Sequence, residues 1–264
     1  KLKHQITARV VRAKMTRPTL GIAVVLLLSA SAIRGEPIPR DSIYRYEARM
    51  ALINAGILSL EIGRSDGIYE VLGQFNTSRA MSNYYSWNGL FAARGHWHDG
   101  KPQTAAYLTR SKSSDDLYKV ILYTAKGTRR MLKASEPFKD HPQPLGVDLM
   151  SALFVSPDCF TGARVHDGED DYEIKLLKRK PRQIIAADKY YNGPGIQCEY
   201  QVRDNKGRKR RVQIVLAELE GNTVAVLASI RIPLFPDPTF RLLMPAQVSE
   251  PTVEISSAQT VPKL

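Results

Sequence analysis

The sequence predicts a mostly β, antiparallel fold of barrel or sandwich type with one short buried helix. Three observations predict it. Turn signals built from Gly, Asn and Asp recur about every ten residues along the chain. Between them, polar and apolar residues alternate with the period of a half-buried strand. The segments joining the strands are too short for the crossover helices of a parallel sheet.

The elements follow in chain order. "YRYEARMALINAGILSLEIG", from Tyr44 to Gly63, alternates and breaks near Asn54-Ala55-Gly56, where a hairpin or bulge is expected. Asp66-Gly67 is a turn signal, and "IYEVLGQFNT" is the strand after it. An aromatic-rich stretch, Ser78 to Trp97, runs to a turn at Asp99-Gly100-Lys101-Pro102. "TAAYLTRS" and "DLYKVILYTA" are strands, and Lys126-Gly127 turns into "TRRMLKA". Pro137, Pro142 and Pro144 forbid regular pairing, so Glu136 to Leu145 is read as an extended loop. Asp148 is the expected N-cap of a helix, "LMSALFV", stopped by Pro157. That helix is short and apolar on all sides, which calls for burial. "ARV" and "DYEIKLL" then flank an acidic turn, His166 to Asp170, whose carboxylates are expected to solvate a hairpin tip. "RQIIAADKYY" leads to a turn at Asn192-Gly193-Pro194-Gly195. "IQCEYQVRD" and "RRVQIVLAEL" flank Asn205-Lys206-Gly207, and Glu220-Gly221-Asn222 turns into "TVAVLASIRIPL".

The front of the chain reads as targeting sequence. Lys14 and Arg17 precede an apolar run from Leu20 to Leu28, and Ala30-Ser31-Ala32 fits a small-residue cleavage site. The run is about half of the roughly 20 residues that span a bilayer, so a cleavable signal peptide over residues 1–32 is expected, not an anchor. Met15 stands where such a peptide would begin, and Lys1 to Lys14 is read as an upstream extension. The expected compartment is the periplasm. Residues 33–244 are read as a single domain and residues 245–264, polar with scattered proline, as a flexible tail. Removing residues 1–32 takes the charge from +12 to +6. That mild basic bias suits an anionic membrane surface; nucleic acid is not an expected partner of an exported protein.

Cys159 and Cys198 are the chain's two cysteines. A nucleophilic thiol needs a neighbouring base or cation, whereas Cys159 sits among acids that raise a thiol pKa. In an oxidising compartment pairing is the parsimonious reading. The bridge would close a 40-residue loop and stabilise the fold by about 4 kcal/mol. "HDGEDDYE" places Asp167, Glu169 and Asp171 at period two but has no distal Glu, so it falls short of a calcium loop.

The hairpin "YRYEARMALINAGILSLEI", the helix "GVDLMSALF", a cysteine before "ARVHDGEDDYEIKL", a second in "QCEYQV" and a last strand running into "PLFP" occur in a recognisable order. In these features the chain resembles the DUF3108 family of uncharacterised exported bacterial proteins, in its alphaproteobacterial form, from Asp41 to Met244. The resemblance implies an open or spiral antiparallel barrel, similar to the carriers that move lipoproteins across the periplasm by wrapping a curved sheet around an apolar cavity. It implies no enzymatic activity. The chain lacks a lipidated cysteine, so the likeness does not extend to direct outer-membrane anchoring.

Several residues are candidate sites. Tyr85, Trp87, Phe91 and Trp97 are placed either to line an apolar ligand cavity or to fill an ordinary β core. His96 and His98 share a strand face at a metal-capable spacing, but no third ligand is evident and no metal is expected. Lys206, Arg208, Lys209, Arg210 and Arg211 surround Gly207, either as a contact for anionic head groups or as a solvated hairpin tip. There is no G-x-S-x-G elbow, H-E-x-x-H, phosphate loop or C-x-x-C pair. The function expected is non-enzymatic: shielding a lipid or other apolar ligand, or supporting the envelope beside a protein partner, with no cofactor. The alternative is a hydrolase of cell-wall or lipid substrates, whose carboxylate pair sequence alone does not reveal.

Overall fold

The computed structural model describes residues 40–65, 67–82, 86, 88–112, 118–131, 133, 136–231 and 237–244. The expected signal peptide and C-terminal tail lie outside the described residues.

The first half of the chain is an antiparallel meander: β1 (Arg40–Met50), β2 (Ile53–Ser65), β3 (Ile68–Thr77), β4 (Asn88–His98), β5 (Lys101–Lys112), β6 (Tyr118–Thr124), β7 (Gly127–Met131) and β8 (Lys139–His141). A single-turn helix, α1 (Arg79–Ser82), separates β3 from β4. The second half holds β9 (Val147–Asp148), β10 (Arg164–His166), β11 (Asp171–Ile184), β12 (Gly193–Asp204), β13 (Lys209–Leu219), β14 (Asn222–Arg231) and β15 (Pro238–Leu242). All fifteen form one sheet. The two halves join where β1 pairs with β15, with Tyr46 opposite Leu242 and Ala48 opposite Phe240. The sheet therefore runs from β8 at one edge to β9 at the other, although these two strands are consecutive in sequence.

The sheet is open and not a closed barrel, since β8 and β9 do not pair. It rolls instead, and β9 packs against β5. Alternation drives the roll. Leu58, Leu60 and Ile62 of β2, Tyr69 and Val71 of β3, and Tyr200 and Ile214 of β12 and β13 turn inward and are buried. Each aliphatic side chain so buried stabilises by about 1.5–3 kcal/mol. Glycines let this layer close: Gly73 leaves room for the Phe91 ring, and Gly95 for the Tyr69 hydroxyl, where any Cβ would collide.

Local differences from expectation have local causes. The first hairpin turns at Ala51-Leu52, with Ala51 at φ 52°, and the break near Gly56 is a bulge, where the register shifts between Ala48 and Arg49. Proline did not prevent pairing across the whole of 136–145, because Lys139–His141 carries none and pairs with Thr128–Arg130. Gly193-Pro194-Gly195 is not a turn but the start of β12, opposite Arg182–Ile184.

The expected helix is a π-helical segment, Ser151–Val155, buried at every position. Asp148 accepts the Ser151 N–H at 2.9 Å, so it caps the segment while belonging to β9. Cys159 and Cys198 are disulfide-bonded, with Cα atoms 5.5 Å apart. The bridge and the Phe160 N–H to Tyr200 Oη bond (2.7 Å) tie the end of the helical segment to β12.

Candidate functional site

Two places in the fold gather polar groups under constraint. The first is interior. Asp148, 0 % exposed, accepts a hydrogen bond from Thr104 Oγ1 at 2.6 Å, and its own N–H donates to that hydroxyl at 2.9 Å. His166 lies beside Asp148 in the parallel β9–β10 ladder, also 0 % exposed. The edges of Tyr107 and Tyr123 flank its ring at 5.6 and 5.8 Å. Neither imidazole nitrogen has a hydrogen-bond partner. Burial pushes the His166 pKa down; the charges of Asp148, Asp171 and Asp167 pull the other way without overcoming it. The imidazole is held neutral.

The second place is a cleft of about 260 Å³, lined by Arg182 and Ile184 of β11, Ile185 and Tyr190 of the following loop, Leu227 of β14 and Arg241 of β15, among others. The loop is fixed from both ends. Tyr191 N–H donates to Leu242 O (3.1 Å), Met244 N–H to Lys189 O (2.9 Å), and Asn192 brackets Ala186 through two side-chain bonds. Two cations lie over the Tyr190 ring: Lys189 Nζ is 4.9 Å and Arg241 Cζ 5.5 Å from its centre. Glu47, 5 % exposed, accepts from Lys189 at 2.6 Å and from Arg49 at 3.2 Å. Burial raises the Glu47 pKa, but Lys189, Tyr190 and the Arg49 charge outweigh it and hold the carboxyl below its usual range. Tyr190 Oη is near enough to feel this cluster, yet no partner stands in hydrogen-bond geometry to it.

The sequence candidates fall elsewhere. Tyr85 and Trp87 lie outside the described residues. Phe91 is in the core, and Trp97 packs against it, 5.5 Å from Tyr69. His96 Nε2 meets Gln103 at 3.0 Å and His98 meets Asp99 at 3.5 Å. No group of three metal-capable side chains occurs among the described residues. Of the five basic residues near Gly207, Arg208 is tied to Asp204 (2.6 Å) and Arg211 to Glu199 (2.5 Å). Lys206, Lys209 and Arg210 are exposed.

The acidic turn is a correction. Its carboxylates build structure instead of solvating a tip. Asp167 accepts the Glu169 and Asp170 N–H groups and the Tyr172 hydroxyl. Glu169 binds Lys119 and Arg130, and Asp171 holds the Leu145 N–H. The cleft residues went unread because Arg241 is distant in sequence from Arg182 and Tyr190, and the three share no motif. The one local signal was the doubled Ile184-Ile185 and Tyr190-Tyr191, which breaks strand alternation.

No family model matches the chain, and no curated protein matches it. Among solved structures it is similar to the crystal structure of a DUF1329 family protein from Desulfovibrio piger, at 10 % identity over 86 % of this chain and 91 % of that one. The TM-score is 0.23, a level at which no argument about fold or function follows.

Proposed function

We propose that this is a non-enzymatic periplasmic protein that supports the integrity of the cell envelope. The observation that carries the reading is the rolled sheet's interior. Where a lipoprotein carrier keeps a cavity, Tyr46, Leu60, Ile62, Tyr69 and Tyr200 pack at 0–2 % exposure around the helical segment. A filled interior serves rigidity and surface presentation, not transport through a lumen. The disulfide suits an oxidising compartment. The resemblance to the DUF3108 family and the apolar leader favour export.

The hydrolase alternative finds less support. Ser151, His166 and Asp148 share the interior, but all three are 0 % exposed, and neither imidazole nitrogen is hydrogen-bonded. A working triad needs a serine–histidine bond and access for substrate. Glu47 and Asp148, the buried carboxylates among the described residues, are both committed to structural partners.

The test is genetic and biochemical. Deleting the gene should sensitise the host bacterium to detergents and large antibiotics, and fractionation should recover the protein from the periplasm with no alkylatable thiol. Recovery from the cytoplasm with two free thiols would overturn the reading.

A further inference from the structure

We propose that the cleft beneath residues 185–191 is a binding site for a small amphipathic carboxylate, its acid group held by Arg241 and Arg182 and its apolar part lying on Ile184, Val226 and Leu227. The site opens at the margin of the core, with Val226 and Tyr191 belonging to it, and goes beyond the envelope role proposed above.

Charge is the first argument. Two guanidinium groups line the cleft, and among the described residues neither has a carboxylate within ion-pairing distance. Arg182 reaches only the neutral Gln197, at 3.2 Å. The nearby acid, Glu47, stands opposite Arg241 in the β1–β15 ladder but is occupied by Lys189 and Arg49. The surroundings therefore carry Arg182, Arg241, Lys189 and Arg49 against the buried Glu47 and, in the same loop as Lys189, the exposed Asp188.

The second argument is unsatisfied hydrogen bonding. Arg241 Nε is buried without a partner, on a residue that lines the cleft. A buried donor of a charged group costs stability unless an acceptor meets it. A carboxylate is the acceptor whose planar oxygens match a guanidinium fork.

The third is the floor and the size. Val226 is buried and Ile184 and Leu227 are half-buried, so the anion's remainder meets hydrocarbon. About 260 Å³ is below the roughly 300–1,000 Å³ of drug-sized sites, which points to a short chain and not a whole phospholipid. The loop's backbone bonds hold this geometry before any ligand arrives.

Titration calorimetry on the folded, disulfide-bonded protein tests the site with three probes: octanoate, 1-octanol and inorganic phosphate. Octanoate should bind one to one, with octanol and phosphate each at least about tenfold weaker, because each lacks one half of the recognition. Arg241→Gln should weaken octanoate by about tenfold or more. Leu227→Trp, which fills the floor and leaves both guanidinium groups in place, should abolish binding. A thermal melt certifies each variant as folded, and if Arg241→Gln does not fold, Leu227→Trp carries the test. No octanoate binding, equal binding of octanoate and octanol, or binding unmoved by the folded variants would each overturn the proposal. None of these results bears on the envelope role, which rests on localisation and the deletion phenotype.

Discussion

Thr104 Oγ1 donates to Asp148 Oδ2 at 2.6 Å and accepts the Asp148 N–H at 2.9 Å, a two-way clasp between residues 44 apart in the chain. It joins β5, deep in the first meander, to β9, the far edge of the sheet. The roll of an open sheet needs such a contact, because β8 and β9 offer no ladder to hold it shut. Asp148 also caps Ser151, so one carboxylate fixes both the sheet edge and the helical segment inside it.

Thr104→Val keeps the shape and removes both clasp bonds, leaving a buried carboxylate short of a donor. The expected loss is about 2–3 kcal/mol in urea unfolding, with Thr104→Ser recovering most of it. A valine variant as stable as wild type would show that the clasp contributes nothing to the roll.

The staple makes a second prediction. Peptide mapping without reduction should return Cys159 joined to Cys198. The Cys159→Ser, Cys198→Ser double variant should lose up to about 4 kcal/mol, since the open chain regains the entropy of a 40-residue loop. An unchanged melting temperature in that variant would contradict it.

The fold was legible where physics is local. Alternation from Tyr44 to Gly63 and turn residues at Gly67, Gly100, Gly207 and Gly221, all at positive φ, placed most strands. Asp148 was legible as a cap because a short acid before an apolar run does one common job. What stayed hidden is set by contacts across the chain. Nothing near Thr104 marks it as the partner of Asp148, and nothing near Arg182 points to Arg241. His166 looked like the shoulder of an acidic turn, and only the packing of Tyr107 and Tyr123 makes it a core residue. The open sheet is what the family resemblance implies, but it depends on β8 and β9 failing to pair, which no local pattern encodes.

His166 sets a pH dependence. Its folded-state pKa lies below the unfolded value of 6.5, so the unfolded chain takes up a proton that the native state refuses. Stability is full above pH 6.5 and falls as the pH drops below it, by up to about 1.4 kcal/mol per pH unit until the native imidazole titrates. Asp148, Asp167 and Asp171 face the ring and limit the fall. Glu47 adds a separate loss at lower pH: its pKa is depressed from 4.5, so its contribution disappears as the pH falls through that folded value. His166→Phe should flatten the stability profile between pH 6.5 and 5 and leave the loss below pH 4.5 intact. A profile with the same slope in both proteins would remove His166 as the cause.

The basic hairpin divides into two groups, and the division is testable. Arg208 and Arg211 are held by Asp204 and Glu199, which leaves Lys206, Lys209 and Arg210 as the exposed cations outside those pairs among the described residues. Arg208 also anchors the tip, where Asp204 accepts the Lys206 and Arg208 N–H groups. If this tip meets anionic head groups, each cation at the surface contributes about 1 kcal/mol. Replacing Lys206, Lys209 and Arg210 together by Gln should then weaken co-sedimentation with phosphatidylglycerol vesicles by about a hundredfold at low salt, with no change in melting temperature. Arg208→Gln should do the reverse, loosening the hairpin more than it weakens binding. Wild-type binding should fade between about 0.05 and 0.5 M salt as the Debye length shrinks. Binding that survives high salt, or that the triple variant retains, would place the contact elsewhere on the molecule.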